Sequence, residues 1–214
     1  MHVFLLYIWT NHHLICMETF KSLLQELDAT LRQYNMPAYE NLLPPLPDAE
    51  IDKNLQELGI DDGDMKALFQ WKSGMGDENG PLMMNFGGLI TFGSIKESID
   101  FNEYFDPLLI PLISDNGEEM LLFNSKPGPH YGKLYLFSIA MLLIEHPMGY
   151  YDSLTAMVKT TIQAYKENIY KYEKGSNMVD IDFDKFFTIA KINNPNSIYW
   201  TEPDPHNEEE WYEI

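Results

Sequence analysis

The spacing of apolar residues changes from helical to strand-like and back again along this chain, and that order limits what the chain can fold into. Phe20, Leu24 and Leu27 recur at helical spacing near the start. Between residues 82 and 139 the apolar runs are short and are separated by Gly and Asn-Gly, which is typical of strands. Helical spacing returns at Tyr151. The pattern therefore predicts an α+β chain in which helices precede and follow, in sequence, the strands of an antiparallel sheet.

The part of the chain before the strands is predicted to form three helices. Four prolines in residues 36–47 remove backbone donors and disfavour helix, so this segment is expected to be an extended connector after the first helix. Asp48 is the expected N-cap of the second helix, which Gly59 ends. Asp64 is the expected N-cap of the third helix, which stops at Gly74.

Short apolar runs predict the strands of the sheet. Asn116-Gly117 lies between the runs at residues 108–113 and 120–123, and Asn-Gly in such a place is the strongest hairpin signal in the sequence. The other predicted strands are residues 82–84, 89–92 and 133–139.

The apolar stripe from Leu154 to Tyr172, which Gly175 follows, predicts one long helix that covers the sheet. Asp152 and Ser153 are its capping candidates. A last helix is expected over residues 183–190, where Asp182 or Asp184 acts as the cap.

Three parts of the chain are expected from this pattern. Residues 17–192 form a single domain, residues 1–16 are an upstream extension because Met17 is the preferred start, and residues 193–214 are an acidic, proline-containing tail that Trp200, Trp211 and Tyr212 could pin in places. For residues 1–16, a short extra strand or a weak export signal is the alternative. Cys16 is the only cysteine, so no intrachain disulfide is possible, and a cytoplasmic location is the default expectation.

Charge excludes one class of partner and favours another. The chain has 33 acidic and 14 basic side chains and a formal net charge of -19. A nucleic acid is bound by neutralising its phosphates with Lys and Arg, and the sequence has no basic run, so nucleic-acid binding is not expected. No apolar stretch approaches the length of a membrane span. The acidity indicates either attraction to a basic protein partner or simple solubility.

The usual patterns of catalytic and metal sites are missing from the sequence. No two histidines have the spacing that places them on one helix face, and a zinc site from His130, His146 and acids has no support. Asp180, Asp182 and Asp184 imitate the start of a calcium loop, but the glycine and the bidentate glutamate that such a loop needs are replaced by lysines. No nucleophile elbow or phosphate-binding glycine motif occurs. We expect no cofactor, no metal and no enzymatic activity; a hydrolase using scattered acids and His130 is the weakest alternative.

Several short stretches, taken in order and spacing, resemble the SUKH superfamily, the group named partly for the yeast cell-wall assembly regulators. The resemblance covers roughly residues 18–173. The stretches that carry it are Leu46-Pro47, Leu68–Gly74, Leu89–Ser94, Leu121–Phe123, Lys133–Leu136 and Tyr151–Leu154.

The resemblance implies an α+β fold with an antiparallel sheet packed against helices, and no active site. It also implies that Trp71, Gly74, Asp152 and Ser153 are turn, packing and capping positions. Many bacterial members resemble immunity proteins, which bind and neutralise a cognate toxin, often a nuclease. The leading hypothesis is therefore a bacterial immunity protein with a basic toxin partner. The alternative is a cellular scaffold without a toxin, which recruits a protein through residues 36–47 or the tail.

Acidic residues expected in loops at the ends of the sheet are the candidates for contact with the basic partner. They are Asp77, Glu78, Asp115, Glu118 and Glu119.

Overall fold

The computed structural model describes residues 20–34, 36–76, 87–101, 106–114, 119–138, 147–172 and 179–201. The helices are α1 (20–33), α2 (Pro37–Glu40), α3 (Asp48–Glu57), α4 (Gly63–Trp71), α5 (Phe92–Phe101), α6 (Leu154–Lys166), α7 (Phe183–Asn193) and α8 (Ile198–Thr201). The strands are β1 (Gly88–Leu89), β2 (Leu109–Ser114), β3 (Glu119–Asn124), β4 (Leu134–Ser138), β5 (Met148–Tyr151), β6 (Tyr170–Tyr172) and β7 (Val179–Ile181).

The main sheet is an antiparallel meander in which β1 to β5 lie in chain order. The predicted hairpin is confirmed, since β2 pairs with β3 on either side of residues 115–118, which lie outside the described residues. The strand expected at residues 82–84 also lies outside them. A separate two-stranded ribbon joins β6 and β7. The α+β prediction is confirmed, because helices pack on an antiparallel sheet.

Both faces of the main sheet are buried. Leu121, Phe123 and Leu136 belong to the large core shared with the helices. The alternate residues Leu122 and Phe137 belong to a second, smaller cluster. Successive side chains in a strand point to opposite faces. Because both faces are buried here, the central positions of β3 and β4 are consecutive apolar residues and do not alternate with polar ones.

The first helix is confirmed, and its apolar stripe is buried. Phe20, Leu24 and Leu27 are each at most 2% exposed. The two predicted N-caps are wrong by one or two residues. Pro47, not Asp48, precedes α3, and Asp62, not Asp64, caps α4 by accepting a hydrogen bond from the N–H of Met65 at 2.8 Å. In a segment rich in acids, spacing alone does not identify the capping carboxylate.

The proline-rich connector contains one helical turn that the sequence did not predict. Pro37 begins α2, and proline is well suited to the first position of a helix because its fixed φ matches and its missing N–H would be unpaired there. The rest of the connector is extended, as expected. Its backbone pairs with the exit of α4, where the N–H of Leu43 donates to the carbonyl of Gly74 at 2.9 Å.

Helix α5 lies where the sequence predicted the end of a strand. The strand stops at Leu89, and the Thr91 hydroxyl accepts a hydrogen bond from the N–H of Ser94 at 3.2 Å, which starts the helix. Ile95 is buried one turn further on. A short apolar run fits a strand and a helix entry equally well, so the pattern did not separate the two.

The predicted long helix is shorter than expected, because α6 ends at Lys166. Asn168 adopts a positive φ of 53°, a left-handed conformation that asparagine tolerates better than most residues. The chain then enters β6. Ile169 and Tyr170 remain buried, so the apolar stripe continues through the change from helix to strand. Ser153 is the N-cap of α6, and Asp182 is the N-cap of α7.

Residues 194–201, which we term the C-terminal clasp, pack against the edge strand β5. The Ser197 hydroxyl donates to the carbonyl of Gly149 at 2.8 Å, and the Trp200 indole N–H donates to the carbonyl of Tyr150 at 2.7 Å. Side chains thus satisfy two backbone acceptors of a strand edge, which otherwise favours pairing with another chain. The packing continues past the boundary expected at residue 192, and Trp200 is 4% exposed.

Within the described part of the chain, no helix has the length and apolar character that crossing a membrane requires.

Candidate protein-binding surface

Negative charge is concentrated on one part of the described structure. Residues 48–66, which we term the acidic face, contain seven acidic and two basic side chains, a net charge of -5. All described residues together contain 19 acidic and 13 basic side chains, a net charge of -6. Nearly all of the excess acid in the described structure therefore lies on α3, α4 and the turn between them.

A tight turn gives the acidic face its shape. After α3, Gly59 has a φ of +70°, and the N–H groups of Gly59 and Ile60 donate back to Gln56 and Leu55 at 3.1 and 2.9 Å. This arrangement closes the helix with a glycine in the left-handed region. The chain reverses into α4 and leaves an open groove of about 450 Å³ between the helix ends. The charged residues that line the groove are Asp52, Asp61, Asp62 and Lys66.

Lysines compensate only part of this charge. Lys66 pairs with Asp52 at 2.5 Å, which raises the pKa of Lys66. Lys96 of α5 donates to Glu57 at 2.5 Å, which lowers the pKa of Glu57. Among the described residues, no cation lies within 4 Å of Glu50 or Asp61. These two exposed carboxylates are free to attract a cation from outside.

Tyr131 borders the acidic face from the turn between β3 and β4. It is 37% exposed, and its hydroxyl donates to the backbone carbonyl of Asp61 at 3.5 Å. Burial, and after it the negative charges of Asp62 and Asp61, raise the pKa of Tyr131 to about 12. The phenol is therefore neutral at physiological pH. Tyrosine is one of the residues that are enriched in protein interfaces, and Tyr131 presents a partly exposed ring at the border of the acidic face.

Of the five acids predicted for partner contact, one lies among the described residues. Asp77, Glu78, Asp115 and Glu118 lie outside the described residues. Glu119 is the first residue of β3 and not part of a loop. Its carboxylate accepts a hydrogen bond from the Ser138 hydroxyl at 3.2 Å. Glu119 is on the same face of the strand as Leu121 and Phe123, which pack against the helices. Glu119 is therefore held against the protein, with Tyr199 nearby, whose pKa is raised by burial and by the charge of Glu119.

The sequence contains a signal for the acidic face in its local density of charge. Seven acids in nineteen residues is a higher density than in the rest of the described chain. A prediction that treats Asp48 and Asp64 only as helix caps misses this signal. The groove between the helix ends has no such signal in the sequence, because it depends on the packing of α3 against α4.

Trp71 is anchored by an acid on another helix. Its indole N–H donates to Asp28 Oδ1 at 3.2 Å, and the Tyr39 hydroxyl donates to the same oxygen at 3.0 Å. Arg32 donates to Asp28 Oδ2 at 2.9 Å. Burial alone would raise the pKa of Asp28, but the hydrogen bonds from Arg32, Trp71 and Tyr39 together lower it. Trp71 thus joins α4 to α1 and α2.

Gly74 lies where two backbone segments meet. Its φ is +129°, and a Cβ at this position would be 2.8 Å from Thr91 Cγ2 and 2.9 Å from the Thr91 nitrogen. Only glycine fits both the conformation and the space.

Asp152 and Ser153 connect β5 to the clasp and to α6. Asp152 Oδ2 accepts hydrogen bonds from the backbone and side-chain N–H groups of Asn196 at 3.0 and 3.1 Å, and the N–H of Asp152 donates to Asn194 Oδ1 at 3.0 Å. The Ser153 hydroxyl accepts from the N–H of Ala156 at 3.1 Å. Asp152 is therefore a connector between segments, whereas Ser153 is the cap.

A cavity of about 100 Å³ lies beside His130, lined also by Lys133, Tyr135 and Asp152. Asp152 Oδ1 is buried and has no hydrogen-bond partner among the described residues. A buried polar atom of this kind is commonly satisfied by an ordered water. The pKa values of Asp28, Glu57 and Asp182 are lowered, each by hydrogen bonds to its carboxylate.

The described residues contain no group of three or more His, Cys, Asp or Glu side chains placed to hold a metal ion.

Comparison with the models of known protein families gives no match for this chain. Comparison with curated proteins gives no match either. The resemblance to SUKH domains therefore stays a prediction that depends on the sequence stretches given above.

Proposed function

We propose that this chain is a non-catalytic, protein-binding domain that recognises a basic protein through its acidic face, and that the partner is a toxin which the chain neutralises. The observation that carries the proposal is the net charge of -5 on residues 48–66, out of -6 for all described residues. A nuclease toxin presents a basic surface to its substrate, and an acidic surface of matching size can cover it.

Three features of the acidic face support binding over simple solubility. Charge spread for solubility is interspersed over the surface, whereas most of the net charge of the described residues lies on one helix pair. Glu50 and Asp61 are exposed and lack an intramolecular cation among the described residues. Tyr131 adds a rigid amphipathic ring at the border of the groove, which can contribute contact area that charge alone does not provide.

The test compares two double variants with the same change in net charge. Glu50→Lys/Asp61→Lys reverses the two uncompensated acids of the acidic face. Asp180→Lys/Glu167→Lys reverses two exposed acids outside it. Each protein is used to capture partners from a lysate of the source organism, and the captured protein is then purified for kinetic measurements.

We expect the wild type and the Asp180/Glu167 variant to capture the same basic protein, and the Glu50/Asp61 variant to associate with it at least about tenfold more slowly at low salt. Raising the salt from about 50 to about 500 mM should reduce the wild-type rate and largely remove the difference. Equal rates for both variants would exclude the acidic face as the binding site. A captured partner that is not basic would exclude the proposal as a whole.

Co-expression separates neutralisation from scaffolding. If the captured protein stops growth when it is expressed alone and growth returns with the wild-type chain, the immunity role is supported. A partner that is harmless when expressed alone supports the scaffold alternative.

A further inference from the structure

Helix α7 has an exposed aromatic row that the proposed function does not use. Its inner side is buried, with Phe186 at 0% and Ile189 at 3% exposure. Phe183 is 66% exposed and Phe187 is 40% exposed. Together with the exposed Lys191 they recur every four residues, which places them side by side on a helix. We term Phe183, Phe187 and Lys191 the α7 row.

The α7 row is next to the C-terminal clasp. The ring of Phe187 meets the ring of Trp200 edge-on, with 5.8 Å between their centroids. Trp200 is one residue before Thr201, where α8 ends. Residues 202–214 therefore leave the described structure close to the row.

The charge around the row is close to neutral, in contrast to that of the acidic face. The described residues from 179 to 201 contain two lysines and three acids, a net charge of -1. Lys185 is paired with Asp182 at 2.6 Å. Lys191 has no carboxylate within 4 Å among the described residues. An acidic segment is therefore repelled less here than at the acidic face, and Lys191 can pair with one of its carboxylates.

We propose that the α7 row is the docking site of the chain's own residues 208–212, Glu-Glu-Glu-Trp-Tyr. The rings of Trp211 and Tyr212 pack against Phe183 and Phe187, and a carboxylate of Glu208 to Glu210 pairs with Lys191. Ten residues separate Thr201 from Trp211 and span up to about 33 Å, whereas the row is only about 12 Å long. A short tether gives a millimolar effective concentration, so even a weak contact is populated.

The experiment follows Trp211 in the full-length chain by fluorine NMR after incorporation of 5-fluorotryptophan. The resonance is assigned with Trp211→Phe, and a synthetic peptide of residues 202–214 gives the position of the free ring. The test variant is Phe183→Ser/Phe187→Ser. The matched control is Ile192→Ser, because Ile192 is 68% exposed on the opposite flank of α7. The Trp71 resonance reports on folding, since its indole is bonded to Asp28 in another part of the protein.

We expect the Trp211 resonance of the wild type to be displaced from the free position, and the whole displacement to be lost in Phe183→Ser/Phe187→Ser but kept in Ile192→Ser. Lys191→Glu should reduce the displacement. A wild-type resonance at the free position would overturn the proposal, as would an equal effect of the control. A displacement that disappears on dilution would also overturn it, since the segment would then dock on a second copy. None of these outcomes depends on the basic partner, so this proposal and the proposed function fail separately.

Discussion

The acidic face and the C-terminal clasp differ in how their side chains are used. On the acidic face, exposed carboxylates outnumber their local lysines, and Glu50 and Asp61 make no ion pair among the described residues. In the clasp, buried polar groups bond to β5 and its exit, as with Trp200 and Tyr150 or Asn194 and Asp152. The clasp therefore contributes to the stability of the fold, whereas the acidic face has carboxylates that the described residues do not pair with a cation.

The largest expected effect is on stability, from a change in the clasp. Trp200→Ala removes a ring that contacts Tyr150, Phe186 and Tyr199, and it leaves the carbonyl of Tyr150 without its donor. We expect the free energy of unfolding to fall by about 3–5 kcal/mol, measured by urea denaturation. Phe183→Ala, on the exposed side of the neighbouring helix, should cost less than about 1 kcal/mol. Similar losses for both variants would remove the distinction between buried clasp and exposed helix surface.

An intermediate effect is expected at Asn194, which is fully buried. Its Oδ1 accepts from the N–H of Asp152 at 3.0 Å and its Nδ2 donates to the carbonyl of Ala190 at 2.8 Å. Asn194→Ala leaves the buried N–H of Asp152 unpaired, whereas the carbonyl of Ala190 keeps the backbone N–H of residue 194 at 2.9 Å, and we expect a loss of about 2–3 kcal/mol in chemical denaturation. The neighbouring Asn193→Ala removes only a partly buried bond to Gln163, so a loss of about 1 kcal/mol or less is expected. A harmless Asn194→Ala would show that the clasp contributes little to stability.

The smallest stability effect is expected on the acidic face. Glu50→Lys/Asp61→Lys removes a favourable charge near the start of α3 but also relieves repulsion among neighbouring acids, so the free energy of unfolding should change by no more than about 1 kcal/mol. Denaturation curves of the variant and the wild type should nearly overlap. A large loss would mean that these acids hold the fold, and the contrast with the clasp would disappear.

The sequence predicted those parts of the fold in which periodicity and local chemistry agree. The apolar alternation around Leu121 and Leu136, with Asn116-Gly117 between β2 and β3, correctly predicted the centre of the meander. Helix α5 was missed because Phe92 follows an apolar strand run directly, and Gly93 and Ser94 weaken the helical signal.

The end of α6 was misplaced for a different reason. Ile169 and Tyr170 are buried in a strand, as they would be in a longer helix, so the apolar stripe continues while the backbone changes. Tertiary packing, not periodicity, decides such a case.

The sequence predicts the sign of the charge at the candidate site but not its position. The excess of acid favours a basic partner, and the local sequence points to acids in loops at the ends of the sheet and not to residues 48–66. Glu119 shows why this is insufficient, since a charged residue at a strand end can be turned towards Ser138 and the helices. The groove between α3 and α4 depends on the reversal at Gly59, and its position beside Tyr131 depends on contacts between residues 70 apart in sequence.

The bond between Trp200 and Tyr150 also sets a condition on biosynthesis. The two residues are 50 positions apart, so β5 leaves the ribosome well before the side chain that covers its outer carbonyls. At ordinary elongation rates this delay is about 3–10 s. During that interval the carbonyls of Gly149 and Tyr150 lack their donors from the clasp. A chaperone or a neighbouring nascent chain can bind the exposed edge strand β5 in their place. Slowing translation after codon 151 should therefore lower the yield of folded protein more than slowing it before β1.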